Sequence, residues 1–549
     1  MSRRLINKVQ SLLSLEKGTI YKDPGGKINV CLIYPNTYYI GMSNLGFQGL
    51  YGIMNKRQDV LCERAFLPDE EDIGEYIRTG TELFSLESQR PLSRFDILAF
   101  SVSFENDYSN VLKILKLARI PLYSKARSKT HPLVISGGIC AFFNPEPLAP
   151  FMDVVFVGEG EEMLMEFIDF YREGHDRGGL LKGAMKIRGI YVPRFYEVYY
   201  KGDGTIKERK AFDGAPEIIS RRWEKNIGGG IKTYVLSPET EFSSMYLLEA
   251  QRGCPWSCRF CVTGFVYKPV RSKDIALLRA EVEEATAVTN RIGLIGPSLT
   301  DYRDIKEILN IRGVDFSITS LRASRGSEEL VKLLRGHRSV SIAPEAGTER
   351  LRKVINKKIT EEDILETACA ILGSGIETLR LYFMLGLPTE TIEDINGICS
   401  IVKKIRQINK RGRINLSVSS FVPKPFTPFQ WLPMEEVKSL KEKFKVLRLM
   451  MREIQGVSIF HDVPKWAEMQ GFLSRGDIRI APVLEAISKG EDWKKAAGTA
   501  GINIKFYVYR QVPFDEILPW DFIDAGIKKE TLVAECKSAL SPVSSHLRM

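Results

Sequence analysis

Histidine is scarce in this chain: five occur among 549 residues, and the first is His131. None lies near the one cysteine-rich loop, so a zinc centre of mixed Cys and His ligands lacks donors there. Of nine cysteines, those at 31, 62, 140, 369, 399 and 536 stand singly in apolar stretches. They read as small buried hydrophobes, and disulfides are not expected. No run of about 18 apolar residues occurs, so no membrane-spanning helix is expected. The first residues, Met-Ser-Arg-Arg-Leu-Ile-Asn-Lys, lack the apolar core and cleavage site of a secretory signal. A reducing, cytoplasmic setting is the expectation. Charge of one sign is not in great excess: the net charge of +10 is mild for this length. It permits an anionic substrate or nucleic acid without requiring either, and a solvated lysine-rich surface accounts for it equally well. What is present, 44% hydrophobic and 27% charged residues, describes an ordinary globular chain of two or three domains.

Three cysteines break the scatter. The loop Cys254-Pro-Trp-Ser-Cys258-Arg-Phe-Cys261 has the spacing C-x3-C-x2-C. Structural zinc sites use four protein ligands, commonly as paired C-x2-C units, and no second pair exists here. Three thiolates suit a [4Fe–4S] cube, which needs an outer ligand on each of four irons. The fourth iron is then left for something that is not protein.

Along the chain the fold class reads as α/β. Apolar runs at 28–34, 95–103, 133–138 and 153–158 alternate with helices near 47–55, 107–119 and from 158–162 onward. Continuous apolar strands between helices predict a parallel sheet covered on both faces. Residues 191–243 change character: 196–200 and 205–210 flank Lys-Gly-Asp-Gly and predict a hairpin, followed by a polar linker with glycines at 228–230. From 244 the alternation resumes. Strands are predicted at 245–250, 291–295, 315–319, 339–343, 378–384 and 415–421. Helices are predicted at 272–289, 302–310, 327–336, 360–374 and 391–409. Six β/α units make a partial (β/α)6 barrel, whose active site belongs at the C-terminal strand ends. From 431 to 549 a mostly helical extension is predicted, with helices near 434–455 and 478–488. The domains expected are therefore 1–190, 191–243, 244–430 and 431–549.

The cysteine loop, with Phe260 before the third cysteine, resembles that of the radical S-adenosylmethionine (SAM) enzymes. Residues 244–431 fit the barrel of that superfamily. Residues 1–190 resemble the Rossmann-like cobalamin-binding domain that precedes many of these barrels. The late stretch, including Leu518-Pro-Trp-Asp-Phe-Ile-Asp-Ala-Gly526, is similar to a bacterial subfamily of two-domain radical SAM proteins. The resemblance implies a [4Fe–4S] cluster on Cys254, Cys258 and Cys261. It implies SAM chelating the open iron, and an external flavodoxin- or ferredoxin-like electron donor. At successive strand ends it implies SAM contacts. Ser298, Thr300 and Asp301 lie near the amino group, with helix capping as the alternative reading. Arg322 faces a carboxylate, of SAM or of the substrate. Glu345 is placed on the ribose, with Gly347 allowing close approach. Arg352 is a second carboxylate partner or a helix-surface residue. Gly386 and Pro388 form a turn beside adenine. The aromatic and proline-rich stretch 421–431 suits either stacking or sealing of the barrel.

In the N-terminal region the resemblance rests on Ser101 with Ser103 ending a strand and on Gly137-Gly138 ending the next. It implies cobalamin as a further cofactor. The loop at 35–41 lacks the family's cobalt-binding histidine, so two readings stand: cobalamin bound without a protein imidazole, or a domain that keeps the fold without the cofactor. The implied reaction is SAM cleavage to a 5′-deoxyadenosyl radical, with cobalamin-dependent methylation of an unreactive carbon if the corrin binds. The absence of a second cysteine cluster argues against sulfur donation from an auxiliary cluster. Two other classes remain open: radical modification of RNA or the ribosome, suggested by Arg259, Lys268 and Arg271 near the cysteines, and a non-catalytic iron–sulfur module.

Overall fold

Strand β1 (Ile28–Tyr34) is apolar along almost its whole length, and its neighbours follow from that. In the computed structural model, which describes residues 2–228, 230–318, 320–324, 327–334 and 337–541, the chain divides into two units. The first comprises 1–248, 473–504 and 515–526, and the second comprises 249–472, 505–514 and 527–549.

In the first unit β1 pairs in parallel with β2 (Val60–Phe66) on one side and with β3 (Ile97–Ser101) on the other. β4 (Leu133–Gly137) and β5 (Val154–Phe156) continue the parallel sheet, and β6 (Ile190–Tyr191) closes it antiparallel to β5. The order β2-β1-β3-β4-β5-β6 changes direction between β1 and β3, the kind of switch point at which open α/β sheets bind ligands. β2 is invisible to a hydrophobicity reading because Val-Leu-Cys-Glu-Arg-Ala-Phe carries two charges. Both are buried and partnered. Arg64 is bidentate on Glu16 at 2.9 and 2.7 Å and meets Glu87 at 2.6 Å. Glu63 accepts from Ser85 and Ser88 at 2.5 and 2.6 Å. Pairing of this kind is what lets charges lie in a sheet interior. The expected hairpin forms from β7 (Tyr196–Tyr200) and β8 (Ile206–Ala211), antiparallel.

β9 (Tyr246–Glu249) leads the chain into the second unit. There β10 (Arg291–Ile295) and β11 (Asp315–Ile318) pair in parallel. β12 (Ser339–Glu345), β13 (Thr378–Leu385) and β14 (Arg413–Ser420) form a second parallel run. A parallel bridge from Leu321 to Ile342 joins the two runs. Helices fill the gaps with designed starts. Asp274 caps Ile275–Thr286, and Thr360 with Asp363 and Thr391 with Asp394 form capping boxes.

The barrel does not stop at six strands. After the helix Val437–Arg452, β15 (Val457–His461) pairs in parallel with β14. Val-Ser-Ile-Phe-His is short and exposed on alternate residues, as an edge strand is, so it lacks the long apolar run that marks its neighbours. The rest of the C-terminal stretch is helical, including Ala481–Ser488, Trp493–Thr499 and Lys529–Leu540. Residue 229 of the expected linker, Thr319 of the third strand and residues 335 and 336 of the following helix lie outside the described residues. Among the described residues no helix is long and apolar enough to cross a membrane.

Candidate functional site

The cysteine loop leaves a strand end. Ala250, next after β9, donates its N–H to Ile295 O of β10 at 2.9 Å. The chain turns at Gly253, with φ +81°, where a Cβ would stand 2.3 Å from Tyr267 O. Only glycine lets the two backbone segments pass this closely. Cys261 N–H donates to Cys258 O at 3.0 Å, closing the second half of the motif into one turn.

Arg259 holds the back of the loop. Its N–H donates to Ile355 O at 3.0 Å, and its guanidinium donates to Val354 O at 2.8 Å and Lys353 O at 3.2 Å. It also pairs with Glu535 at 2.9 Å and donates to Ser538 at 3.2 Å. Asn356 and Lys268 brace Ser257 through its carbonyl and hydroxyl, at 2.9 and 2.8 Å. Arg271 donates to the carbonyls of Pro269 and Tyr267. The basic residues beside the cysteines are thus internal braces of the loop, two of them over nine-tenths buried, and not an exposed face for nucleic acid.

On the open side, Trp256 Nε1 donates to Asp301 at 2.6 Å, and Ser298 Oγ donates to the same oxygen at 2.5 Å. Asp301 is not a helix cap, since the next helix starts only at Ile305. The Arg322 guanidinium lies 3.5 Å above the Trp256 ring and donates to Lys358 O at 2.9 Å. Glu345 pairs with Lys357 at 3.1 Å. Burial raises the Glu345 carboxyl, and Lys357 opposes that rise. Burial pushes the Cys258 thiol up to about 11 and raises Cys254, while Arg322 lowers both and Lys357 lowers Cys258. Two cations therefore face thiols that must lose protons to bind iron.

Left-handed non-glycine residues occur at three of these strand ends: Glu345, the last residue of β12, Thr389 after β13 and Phe426 after β14 have φ of 67°, 64° and 56°. Left-handed non-glycine residues cost on the order of 1–3 kcal/mol and cluster at functional sites.

The donor set fits a cluster. Among the described residues no three His, Cys, Asp or Glu converge on a single ion, whereas a cube gives each thiolate its own corner iron. Two buried acceptors also lack protein partners, Thr300 Oγ1 and Gln251 Oε1. Orphaned polar atoms beside the loop suit a polar ligand.

Other candidate residues lie elsewhere. Gly347 packs backbone against the helix Ile392–Ile408, where a Cβ would stand 2.0 Å from Asp394 O. Arg352 is 1% exposed and donates to Ala346 O and Ile359 O. Gly386, φ +82°, donates its N–H to Glu390 at 3.0 Å, which itself pairs with Lys443, and Pro388 follows in that turn. Phe421, Phe429 and Trp431 are buried core, with Phe421 edge-on to Phe429 and Trp431 edge-on to Phe514. They seal the barrel instead of offering a stacking face.

In the first unit Ser101 is 8% exposed and Gly137 ends β4. Gly138, φ +98°, brings β4 against the end of β3, where a Cβ would stand 2.5 Å from Val102 O. The short helix Ile139–Phe143 then buries Cys140, Phe142 and Phe143. Gly138 thus serves strand packing, while a Cβ at Gly137 would meet only Phe156 Cβ at 3.5 Å. The loop after β1 carries the helix Tyr38–Met42 and no imidazole. A cavity of about 310 Å³ does open in this unit, beside β2 between Tyr38, Phe66, Pro68, Asp72 and Leu5. Trp256, Asn356 and Lys357 went unread in the sequence, because nothing local marks which residues of later loops return to the cysteines.

Residues 46–193 match the family described as radical SAM proteins, N-terminal, and residues 248–402 match the radical SAM superfamily. An uncharacterised protein of Methanocaldococcus jannaschii, MJ0966, is 30% identical over 467 residues, 83% of this chain and 90% of its own. A threonylcarbamoyladenosine tRNA methylthiotransferase of Aquifex aeolicus is 24% identical over 68% of this chain and 82% of its own. A solved cobalamin-dependent SAM radical enzyme, OxsB, superposes at TM-score 0.47 with 17% identity, over 68% of this chain and about half (52%) of that one. The chain belongs to the radical SAM superfamily, with an N-terminal radical SAM region followed by the barrel that carries the three-cysteine loop.

Proposed function

We propose that this protein cleaves SAM reductively and uses the resulting radical to abstract hydrogen from an unreactive carbon of its substrate. The observation that carries the reading is the three-cysteine loop at a barrel strand end, faced by Arg322 and Lys357. A bound [4Fe–4S] cluster supplies the electron that breaks the S–C5′ bond of SAM, giving methionine and a 5′-deoxyadenosyl radical. Cys254, Cys258 and Cys261 would hold three irons. Ser298, Thr300, Asp301 and Glu345 offer acceptors for the SAM amino and hydroxyl groups, and Arg322 offers a cation for a carboxylate. An external one-electron donor is part of this reading.

The test is anaerobic reconstitution with iron and sulfide, followed by an absorbance spectrum and an assay for 5′-deoxyadenosine with dithionite and SAM. A cluster band with deoxyadenosine supports the reading, and C258A should lose both while remaining folded. Turnover retained in C258A would sink it.

Methylation through cobalamin is the finer form of the same reading. The loop after β1 offers no imidazole, so a corrin bound there would lack a protein histidine on its cobalt. Inclusion of hydroxocobalamin in the reconstitution decides: corrinoid retained after desalting would support it. An RNA substrate is favoured by one surface feature. Lys438, Lys441, Lys445 and Arg452 are all exposed and recur every three, four and seven residues on one flank of the helix Val437–Arg452. Transfer-RNA affinity that falls steeply with salt in wild type, and less steeply in K441E/K445E, would support this substrate class.

A further inference from the structure

We infer that the concave face of the barrel is a substrate floor built on Arg380, and that it takes a carboxylate or phosphate at the end of an extended substrate. The placement of chemistry at the other end of the strands rests on the radical SAM reading above. The anion seat itself does not.

The pattern begins in β13. Leu379, Leu381 and Phe383 are at most 1% exposed, while Arg380 and Tyr382, on the opposite face, are exposed. Interior strands of a parallel sheet are usually apolar on both faces. Here β13 has partners on both sides and still presents an arginine to solvent.

Register extends the row across four strands. Arg380 is opposite Ser341 of β12 and Asn415 of β14, and Asn415 is opposite Ser458 of β15. Register partners in a sheet share a face. One step toward the C-terminal ends, Tyr382 is opposite Ser417, and Ser417 is opposite Phe460. Tyr382 is 39% and Phe460 58% exposed.

Among the described residues, Ser341, Arg380, Tyr382, Asn415, Ser417 and Ser458 make no side-chain hydrogen bond or ion pair. Arg259 and Arg352 of the same unit, by contrast, spend their guanidiniums on carbonyls. A guanidinium with all its donors unspent, flanked by hydroxyl and amide donors, is complementary to a carboxylate or phosphate. The aromatic pair lies between that seat and the strand ends. From Arg380 to Leu385 is five residues, about 16 Å of strand. A substrate anchored on Arg380 must therefore be long, with an apolar middle and its reacting carbon at the far end.

The experiment uses the full-length protein without SAM or reductant, so it is independent of radical chemistry. Fluorine NMR line broadening is measured for 4-fluorobenzoate, 4-fluorophenyl phosphate and the neutral 4-fluorobenzamide. The expected result is broadening of at least one anion and not of the amide, reduced at least tenfold in R380Q and largely kept in R380K. Broadening of the benzoate alone assigns a carboxylate, and of the phosphate alone a phosphate ester. Circular dichroism checks that each variant folds, and N415A provides a second, milder loss at the same seat. Equal broadening by the amide, equal binding in R380Q, or no broadening of any probe would overturn the inference.

Discussion

Arg322 lies flat on the indole of Trp256, its guanidinium carbon 3.5 Å from the ring centroid. Trp256 stands between the first two cysteines, and Arg322 comes from the segment after β11, more than sixty residues later in the chain. The stack is a cation–π contact, worth about 0.5–2 kcal/mol, and it fixes a positive charge beside the thiols. Trp256 is held from its other side by Asp301. Loop, second strand end and third strand end are thereby tied together on one side of the loop.

Removing that charge should make the reconstituted cluster harder to reduce. The reduced state carries one more negative charge, which Arg322 stabilises. R322M should shift the cluster potential to more negative values in an EPR-monitored redox titration, with cluster content near wild type. An unchanged potential would show that Arg322 serves packing alone.

Arg259 should matter for the loop more than for any reaction step. Cutting it to alanine leaves the carbonyls of Lys353 and Val354 without their donor and Glu535 without its cation. R259A should cost about 2–4 kcal/mol. The check is a lower thermal midpoint together with iron content below three-quarters of wild type. Glu535 is partly exposed, so its own ion pair contributes little of that loss.

Gly253 should tolerate no side chain. G253A places a methyl against Tyr267 O in a left-handed backbone conformation. Loss of the cluster with a nearly unchanged circular dichroism spectrum is expected. A brown, active G253A would mean the loop is looser than its geometry implies.

Asp107 should give the first unit a pH-dependent stability. Its carboxyl, 4% exposed, is pushed up to about 7, chiefly by burial, while Asn36 and Asn110 donate to it and hold it lower than it would otherwise be. A carboxyl whose folded pKa exceeds its unfolded value takes up a proton on folding between about pH 4 and 7. Stability from this group is therefore greatest below pH 4 and falls as the pH rises through 7. The loss should be on the order of 4 kcal/mol between pH 4 and pH 8.5. D107N should come closest to wild type in urea unfolding near pH 4, and should exceed it by a growing margin up to pH 8.5. Parallel curves for the two proteins at both pH values would refute the assignment.

The cysteine loop was legible because ligand spacing is local: three residues within eight positions meet whatever the rest of the chain does. The six β/α units were legible because each buries an apolar strand between helices, and burial leaves its mark on consecutive residues. β2 and β15 were not. One hides paired charges in a sheet, and the other is an edge strand exposed on alternate residues. Candidate site residues divided along the same line. Ser298, Asp301, Arg322 and Glu345 lie at strand ends beside the loop or its cations. Gly347 and Arg352, only a few positions beyond Glu345, turned instead to the packing of neighbouring helices and carbonyls.

By itself, then, the sequence determined the α/β class, the run of barrel units and the close spacing of the three cysteines, since each depends on residues near one another in the chain. Only the tertiary structure decided that Arg322 covers Trp256, that Gly138 packs against Val102, and that Ser341, Arg380, Asn415 and Ser458 share one row. Those relationships are set by strand register between segments dozens of residues apart, and register is fixed by the packing of the whole sheet.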